Sequence, residues 1–178
     1  MTKTPAIDNP IWVFAYGSLM WRPDFDFLEE RDGTLRGYHR SLCIYSWHHR
    51  GTQDCPGLVF GLDRGGACKG KVFRVDPAKW PAIQKYLDDR EMVTAVYEPR
   101  WLRVDTAAGP LKAYSFIAVR DHAQYAGVLS IEEQVRFVRQ GKGVSGINID
   151  YVSSTVEHMR DVGIRSAKLD ALMRALEK

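Results

Sequence analysis

Chemistry in this chain is suggested first by Glu91. Trp80, Ile83 and Leu87 recur at helical spacing, and one more turn along the face they define brings position 91, a glutamate where an apolar residue belongs. Burial disfavours its charged form, and the negative pole at a helix C-terminus does the same, so both effects raise its pKa. A carboxylate poised in this way can take and return a proton near neutral pH, as a general acid/base must. The competing reading ends the helix at Asp89 and leaves Glu91 turned to solvent or paired with Arg90. Asp88 and Asp89, off the stripe, read as a solvated face.

A second candidate lies near the start of the chain. The apolar run Ile11 to Tyr16 meets Gly17 and Ser18 before large apolar residues resume at Leu19, Met20 and Trp21. Gly17 admits a positive φ and puts no Cβ in the way, so the amides of Gly17, Ser18 and Leu19 could converge on an anion or a polarised carbonyl. A plain turn after a strand is the alternative. Ser18 makes a poor nucleophile, because "AYGSL" lacks the second glycine of a nucleophile elbow and no His or Asp partner is placed by the sequence. His48 and His49 would point to opposite faces of a strand, and His39, His122 and His158 have no ligand-like spacing, so no metal site is expected.

The elements that must position these residues fall in two blocks. Strands are expected over "IWVFAY", "TLRGYHRSLCIYSW", "GLVFGLD" and "CKGKVFRV", with turns at the Gly, Pro and Asp clusters between them. A helix follows, with Asp76 as N-cap, Pro77 as its first residue and the Trp80, Ile83, Leu87 face. Two more strands, "AVYEPRWLRVDT" and "LKAYSFIAV", are joined through "AAGP" as a hairpin. The remainder reads as helical: "SIEEQVRFVRQGK", opening with Ser130 and Glu133 in capping-box spacing, then "NIDYVSSTVEHMRDVGI" and "RSAKLDALMRALEK". Strands first, one embedded helix and a helical end predict an α+β fold, a curled mixed sheet or small barrel with flanking helices.

Composition narrows the function classes. The 178 residues suffice for one domain with a real core, expected over 11–178 behind a flexible segment at 1–10. With 45% hydrophobic and 26% charged residues the chain reads as globular, and 25 basic against 22 acidic residues, scattered along it, define no nucleic-acid surface. The densest basic stretch, Arg36 to Arg50, interleaves bases with aromatics as single-strand binders do, but reads better as a strand pair with alternating exposed and core residues. No apolar run approaches a membrane span, and a cytoplasmic protein is expected. Cys43, Cys55 and Cys68, odd in number and without CxxC spacing, read as reduced structural thiols.

"YGSLMWRPDFDF", "GTLRGYHRSLCIYSWHHRGTQDCPGLVFGLD", "YLDDREMVTAVYEP" and "GVSGINIDYV" resemble, in that order, the ChaC family of glutathione-specific gamma-glutamylcyclotransferases. The resemblance runs from about Ile11 to Ile164. After the glutamate many members carry Lys-Gly-Gly-Tyr where this chain has "MVTAVY", which looks like the bacterial branch. The resemblance implies a gamma-glutamylcyclotransferase-like fold and conversion of glutathione to 5-oxoproline and Cys-Gly, with no cofactor and no metal. It also implies that Tyr16, Gly17, Ser18 and Leu19 bind the γ-glutamyl group and that Glu91 is catalytic. Ser46, Arg50, Asn148 and Tyr151 fall in the matched motifs and become candidates to line the pocket, against structural roles such as a surface salt bridge for Arg50 or packing for Tyr151.

The implied reaction needs no acyl-enzyme, because nucleophile and electrophile share one molecule. Two other readings stay open: a cyclotransferase of the same fold acting on other γ-glutamyl amino acids or amines, and a non-catalytic binding module that uses the basic aromatic region for RNA or a protein partner. The expected partner is a small-molecule substrate, glutathione, with neither nucleic acid nor membrane.

Overall fold

A computed structural model describes residues 9–178; most of the N-terminal segment expected over 1–10 lies outside the described residues. Five strands form a closed barrel in the order β1-β3-β2-β4-β5: β1 (Ile11–Ala15), β2 (Glu29–Ser46), β3 (Gly57–Val75), β4 (Tyr97–Thr106) and β5 (Gly109–Ala118). Helix α1 (Trp80–Glu91) is inserted between β3 and β4. The chain divides into two compact units, one made of residues 1–40 and 62–119, the other of 41–61 and 120–178, so the ends of β2 and β3 that face each other in sequence belong to the second unit.

In the first unit every residue of β1 is buried, as a strand covered on both faces must be. β1 pairs antiparallel with β3, Ile11 opposite Val75 and Ala15 opposite Lys71, and parallel with β5 through Trp12 and Val13. Strands β4 and β5 form the expected hairpin, from Tyr97 opposite Ala118 to Thr106 opposite Gly109. One packed cluster draws Trp12 and Phe14 from β1, Leu35 from β2, Leu62, Cys68 and Val72 from β3, Val104 from β4, and Ala113 and Ile117 from β5. Alternate residues of each strand share a face, which is why Trp12 and Phe14 enter this cluster without Val13.

Two expectations about this unit are corrected. "GLVFGLD" and "CKGKVFRV" are one strand: Gly65 and Gly66 take positive φ, and the chain bends there without leaving the sheet. Helix α1 starts at Trp80 rather than Pro77. The Asp76 carboxylate accepts from the Ala78 amide (2.9 Å) and the Asp76 carbonyl from Lys79 (2.9 Å), so Asp76 caps a separate turn before the helix, and Pro81 occupies its first turn. The predicted face is buried at Trp80, Ile83 and Leu87.

The second unit carries α2 (Ile131–Gln140), α3 (Asn148–Asp161) and α4 (Ala167–Leu176), with α2 in contact with both of the others. Ser130 and Glu133 make the reciprocal capping box: the serine hydroxyl accepts from the Glu133 amide (3.2 Å) and the glutamate from the Ser130 amide (2.8 Å). Between α2 and α3 the chain is not helical. Lys142–Gly143 (β6) and Gly146–Ile147 (β7) form a small hairpin, with Gly146 at a φ of 109° where a helix cannot continue. The hairpin turn donates to residues 48 and 49, Val144 to the His48 carbonyl (2.9 Å) and Ser145 to that of His49 (3.0 Å). His48 and His49 therefore sit on a bend rather than a strand, with their rings edge to face at 5.0 Å.

Candidate functional site

Tyr16 leaves the end of β1 and packs against the barrel cluster. Two features hold this strand end. The Arg40 guanidinium donates to the Tyr16 carbonyl (2.5 Å) and to that of Lys69 (2.6 Å). Gly70 on β3 passes so close that a Cβ there would fall on the Ala15 carbonyl oxygen. The next residues, Ser18–Met20, form a single 3-10 turn: Met20 donates to the Gly17 carbonyl (2.9 Å) and Trp21 to that of Ser18 (3.2 Å). The amides of Ser18 and Leu19, at the start of the turn, have no partner within it.

Gly17 is not where the positive φ was expected; it sits at φ −133° and ψ −136°. The absent side chain matters instead through space, because among the described residues nothing beyond its two chain neighbours lies within 4 Å of the position a Cβ would take. The backbone of the turn is bare on that side.

Glu91 is the last residue of α1, so the helix runs through the position instead of ending at Asp89. Burial pushes its carboxylate above the usual carboxylate range, and the neighbouring Arg90 pulls it part of the way back. A fifth of the side chain, 22%, still reaches solvent, so the group is crowded by protein yet open to a small molecule.

Arg90 connects this carboxylate to the turn. Its guanidinium donates to Ser18 Oγ (2.8 Å) and to Tyr86 Oη (2.8 Å), with its Nε 3.5 Å from Glu91 Oε1 and its Nη1 3.6 Å from Asp24 Oδ2. The pairing of Glu91 with Arg90, weighed as the alternative to a functional carboxylate, is thus present together with the burial. Ser18 Oγ faces a cation rather than a base, which leaves it without the proton acceptor a nucleophilic serine needs.

The last turns of α1 are fixed from β5. Tyr114 is fully buried, donates its hydroxyl to Asp88 Oδ1 (2.7 Å) and accepts from Gln84 (3.4 Å); burial and the Asp88 carboxylate hold its own proton on well above the ordinary tyrosine pKa. The Trp80 ring meets Tyr114 edge to face at 5.1 Å and Trp101 at 5.6 Å. Asp88 is therefore not part of a solvated face; Asp89 is, paired with Lys85 at 2.5 Å on the exposed side. Arg90, Asp88 and Tyr114 escaped the sequence reading as site-building residues. Arg90 stood inside the quoted "LDDRE", but nothing in spacing shows that its side chain reaches a turn 72 positions away.

Ser46, Arg50, Asn148 and Tyr151 lie in the second unit, where the fold brings all four together around one end of β3. Ser46 Oγ accepts from the Arg50 amide (2.9 Å). Arg50 donates to the Ile147 carbonyl (3.3 Å) and lies over the Tyr151 ring, 5.3 Å from its centroid. Asn148, fully buried, spends its side chain on Leu58: Oδ1 accepts from the Leu58 amide (2.7 Å) and Nδ2 donates to its carbonyl (2.8 Å). Tyr151 Oη accepts from the Phe60 amide (3.2 Å). One turn of α3 thus docks on alternate residues of β3, and Gly57, where a Cβ would stand 2.7 Å from Asn148 Oδ1, permits the approach. Among the described residues no three or more His, Cys, Asp or Glu side chains gather as a metal would need, and no helix is long and apolar enough to cross a membrane.

The chain is similar to known proteins. It is 31% identical over 172 residues to the glutathione-specific gamma-glutamylcyclotransferase of Escherichia coli (strain K12), covering 96% of this chain and 74% of that one. It is 35% identical over 161 residues to glutathione-specific gamma-glutamylcyclotransferase 1 of Danio rerio, covering 85% and 80%. The crystal structure of a yeast gamma-glutamyl cyclotransferase specific to glutathione superimposes with a TM-score of 0.85 at 19% identity, covering 96% of each chain, which establishes the shared fold. A family model described as ChaC-like protein matches residues 11–178, and on that match together with the two relatives the chain belongs to the ChaC-like family.

Proposed function

We propose that this protein is a lyase, a gamma-glutamylcyclotransferase that cleaves glutathione to 5-oxoproline and Cys-Gly. Its relatives from E. coli and D. rerio carry that activity in their names, and both cover most of this chain. The observation within the chain that supports the reading is Glu91: a carboxylate of raised pKa, joined through Arg90 to a turn whose backbone is bare.

In the reaction the α-amine of the γ-glutamyl group attacks the side-chain amide carbonyl of the same residue. The new C–N bond closes a five-membered lactam, the bond to the cysteinyl nitrogen breaks, and that nitrogen leaves as an amine. The ammonium, of pKa about 8, must first lose its proton. Glu91 takes that proton and returns it to the departing nitrogen; the second proton, lost as the attacking nitrogen becomes the lactam N–H, ends on the cysteinyl amine, which is released as an ammonium. The raised pKa of Glu91 brings the base nearer to the ammonium and eases the transfer in both directions. Tyr16, Gly17, Ser18 and Leu19 bind the γ-glutamyl group, and the Ser18 and Leu19 amides, which have no partner within the turn, hold either its carboxylate or the oxyanion of the tetrahedral intermediate. Folding the glutamyl chain into attack geometry is a further task, because it converts a loose chain into a near-attack conformer.

Ser46, Arg50 and Tyr151 are further proposed substrate-binding residues; Asn148, a candidate with them, is fully buried with both ends of its amide on Leu58, and its proposed part is to hold α3 on β3. Arg50 suits an anionic substrate best of the four, because its half-buried guanidinium has no ion-pair partner among the described residues. Residues 11–178 act as one gamma-glutamylcyclotransferase-like domain in the cytoplasm, where glutathione is abundant.

The test is incubation of the purified protein and its Glu91→Gln variant with glutathione and with γ-glutamyl-alanine, following 5-oxoproline and Cys-Gly by mass spectrometry. Conversion of glutathione by the wild type, with turnover lower on the order of a hundredfold or more in the variant, supports the reading. Preference for γ-glutamyl-alanine would keep the reaction and replace the substrate; no conversion of either would leave a non-catalytic binding module.

A further inference from the structure

We propose that Arg90 is a positioning residue for the Glu91 reaction: its guanidinium ties the Gly17–Met20 turn to the last turn of α1 and so holds substrate-binding backbone and carboxylate in one arrangement. The inference rests on the function proposed above. Arg90 Nη2 donates to Ser18 Oγ at 2.8 Å, Nη1 donates to Tyr86 Oη at 2.8 Å and stands 3.6 Å from Asp24 Oδ2, and Nε stands 3.5 Å from Glu91 Oε1.

These partners come from three places. Ser18 belongs to the turn after β1, Asp24 to the segment that follows it, and Tyr86 and Glu91 to α1. A planar guanidinium with fixed donor directions can meet all of them at once; a lysine ammonium, a single point of charge on a flexible stem, cannot. The Arg90 side chain is about three-quarters buried, at 27% exposure, so its bonds are poorly replaced by water. Its helix is itself fixed: Tyr114 of β5 holds Asp88 and Gln84 one and two turns back from the end of α1. Arg90 carries that rigidity across to the turn, and no other side-chain hydrogen bond joins the turn to α1 among the described residues.

Arg90 also sets the charge around Glu91. Among the described residues the charged group set against the carboxylate is Arg90, while Asp24 faces Arg90 and the Asp88 carboxylate is engaged by Tyr114. Arg90 is the cation that offsets the desolvation of Glu91. Removing it leaves desolvation unopposed, and Glu91 then keeps its proton to higher pH.

The experiment compares wild type, Arg90→Lys, Arg90→Ala and Ser18→Ala on glutathione across pH, with methylguanidinium added back to Arg90→Ala. Arg90→Ala is expected to lose about tenfold to a hundredfold in kcat, the scale of a misplaced catalytic group. The acid limb of its kcat/KM profile should move to higher pH, and methylguanidinium should restore part of the rate. Arg90→Lys, which keeps the charge and protects the fold, should hold the limb near its wild-type position while kcat stays reduced. Ser18→Ala should lower kcat without moving the limb, and its effect should not add to that of Arg90→Lys. An active wild type with Arg90→Ala and Arg90→Lys within twofold of it would overturn this role and leave the proposed reaction standing. So would a rate loss with an unmoved limb and no response to methylguanidinium. A wild type inert toward glutathione would overturn both.

Discussion

Asn148→Ala should destabilise the protein far more than it alters substrate affinity. Asn148 is fully buried, and its amide closes a two-bond ring with the Leu58 backbone at 2.7 and 2.8 Å. Leu58 is itself fully buried, so the alanine variant leaves an amide and a carbonyl without these partners and out of reach of bulk water. Each such group costs about 1–3 kcal/mol. The void left by the amide adds less than about 1 kcal/mol, and the better helix propensity of alanine at the start of α3 returns about 0.5 kcal/mol. The net loss is about 2–6 kcal/mol, which for a chain of this size lowers the melting temperature by about 4–24 °C. Urea unfolding followed by tryptophan fluorescence measures it, with Asn148→Asp as the companion: that variant keeps the acceptor but turns an oxygen toward the Leu58 carbonyl. Its deficit should shrink as the pH falls and the new carboxyl is protonated. A loss below about 1 kcal/mol, accompanied by a large rise in KM, would refute this reasoning and make Asn148 a substrate contact before anything else.

Glu91→Gln should abolish most turnover and yet raise the melting temperature at neutral pH. A carboxyl whose pKa is raised on folding stabilises the native state only while protonated, so wild type loses that stability as pH climbs from the ordinary carboxylate range through the raised value; scanning fluorimetry should find the variant's advantage vanishing below about pH 4. Gly70→Ala places a Cβ on the Ala15 carbonyl and should cost about 1–3 kcal/mol in urea unfolding, with a higher KM because the displaced strand end carries Tyr16. Ala95→Gly should stabilise: Ala95 sits at φ 58°, where a Cβ costs about 1–2 kcal/mol, and the entropy of glycine takes back about 0.5–1 kcal/mol, so a rise of a few degrees in melting temperature is expected.

Much of the fold was legible in the sequence because it rests on local chemistry. The α1 face at Trp80, Ile83 and Leu87 and the Ser130–Glu133 capping box need only residues within a turn or two of one another. The apolar run of β1 was equally plain, since a strand buried on both faces shows no alternation to misread. Two of the misreadings came where glycine or proline has two meanings. Gly65 and Gly66 bend a strand that looked like two, and the Asp76-Pro77 pair makes a turn before the helix it was expected to open.

The sequence by itself determined the chemistry on offer: a glutamate on an apolar helix face and a glycine turn after a buried strand, in the order that marks the family. Tertiary structure alone decided what those groups do to each other. The Arg90 bond to Ser18 spans 72 positions, and Asn148 closes on Leu58 across 90. Such contacts depend on the barrel register and on where a helix docks, and those follow from the packing of the whole core, to which no short stretch of residues holds the key.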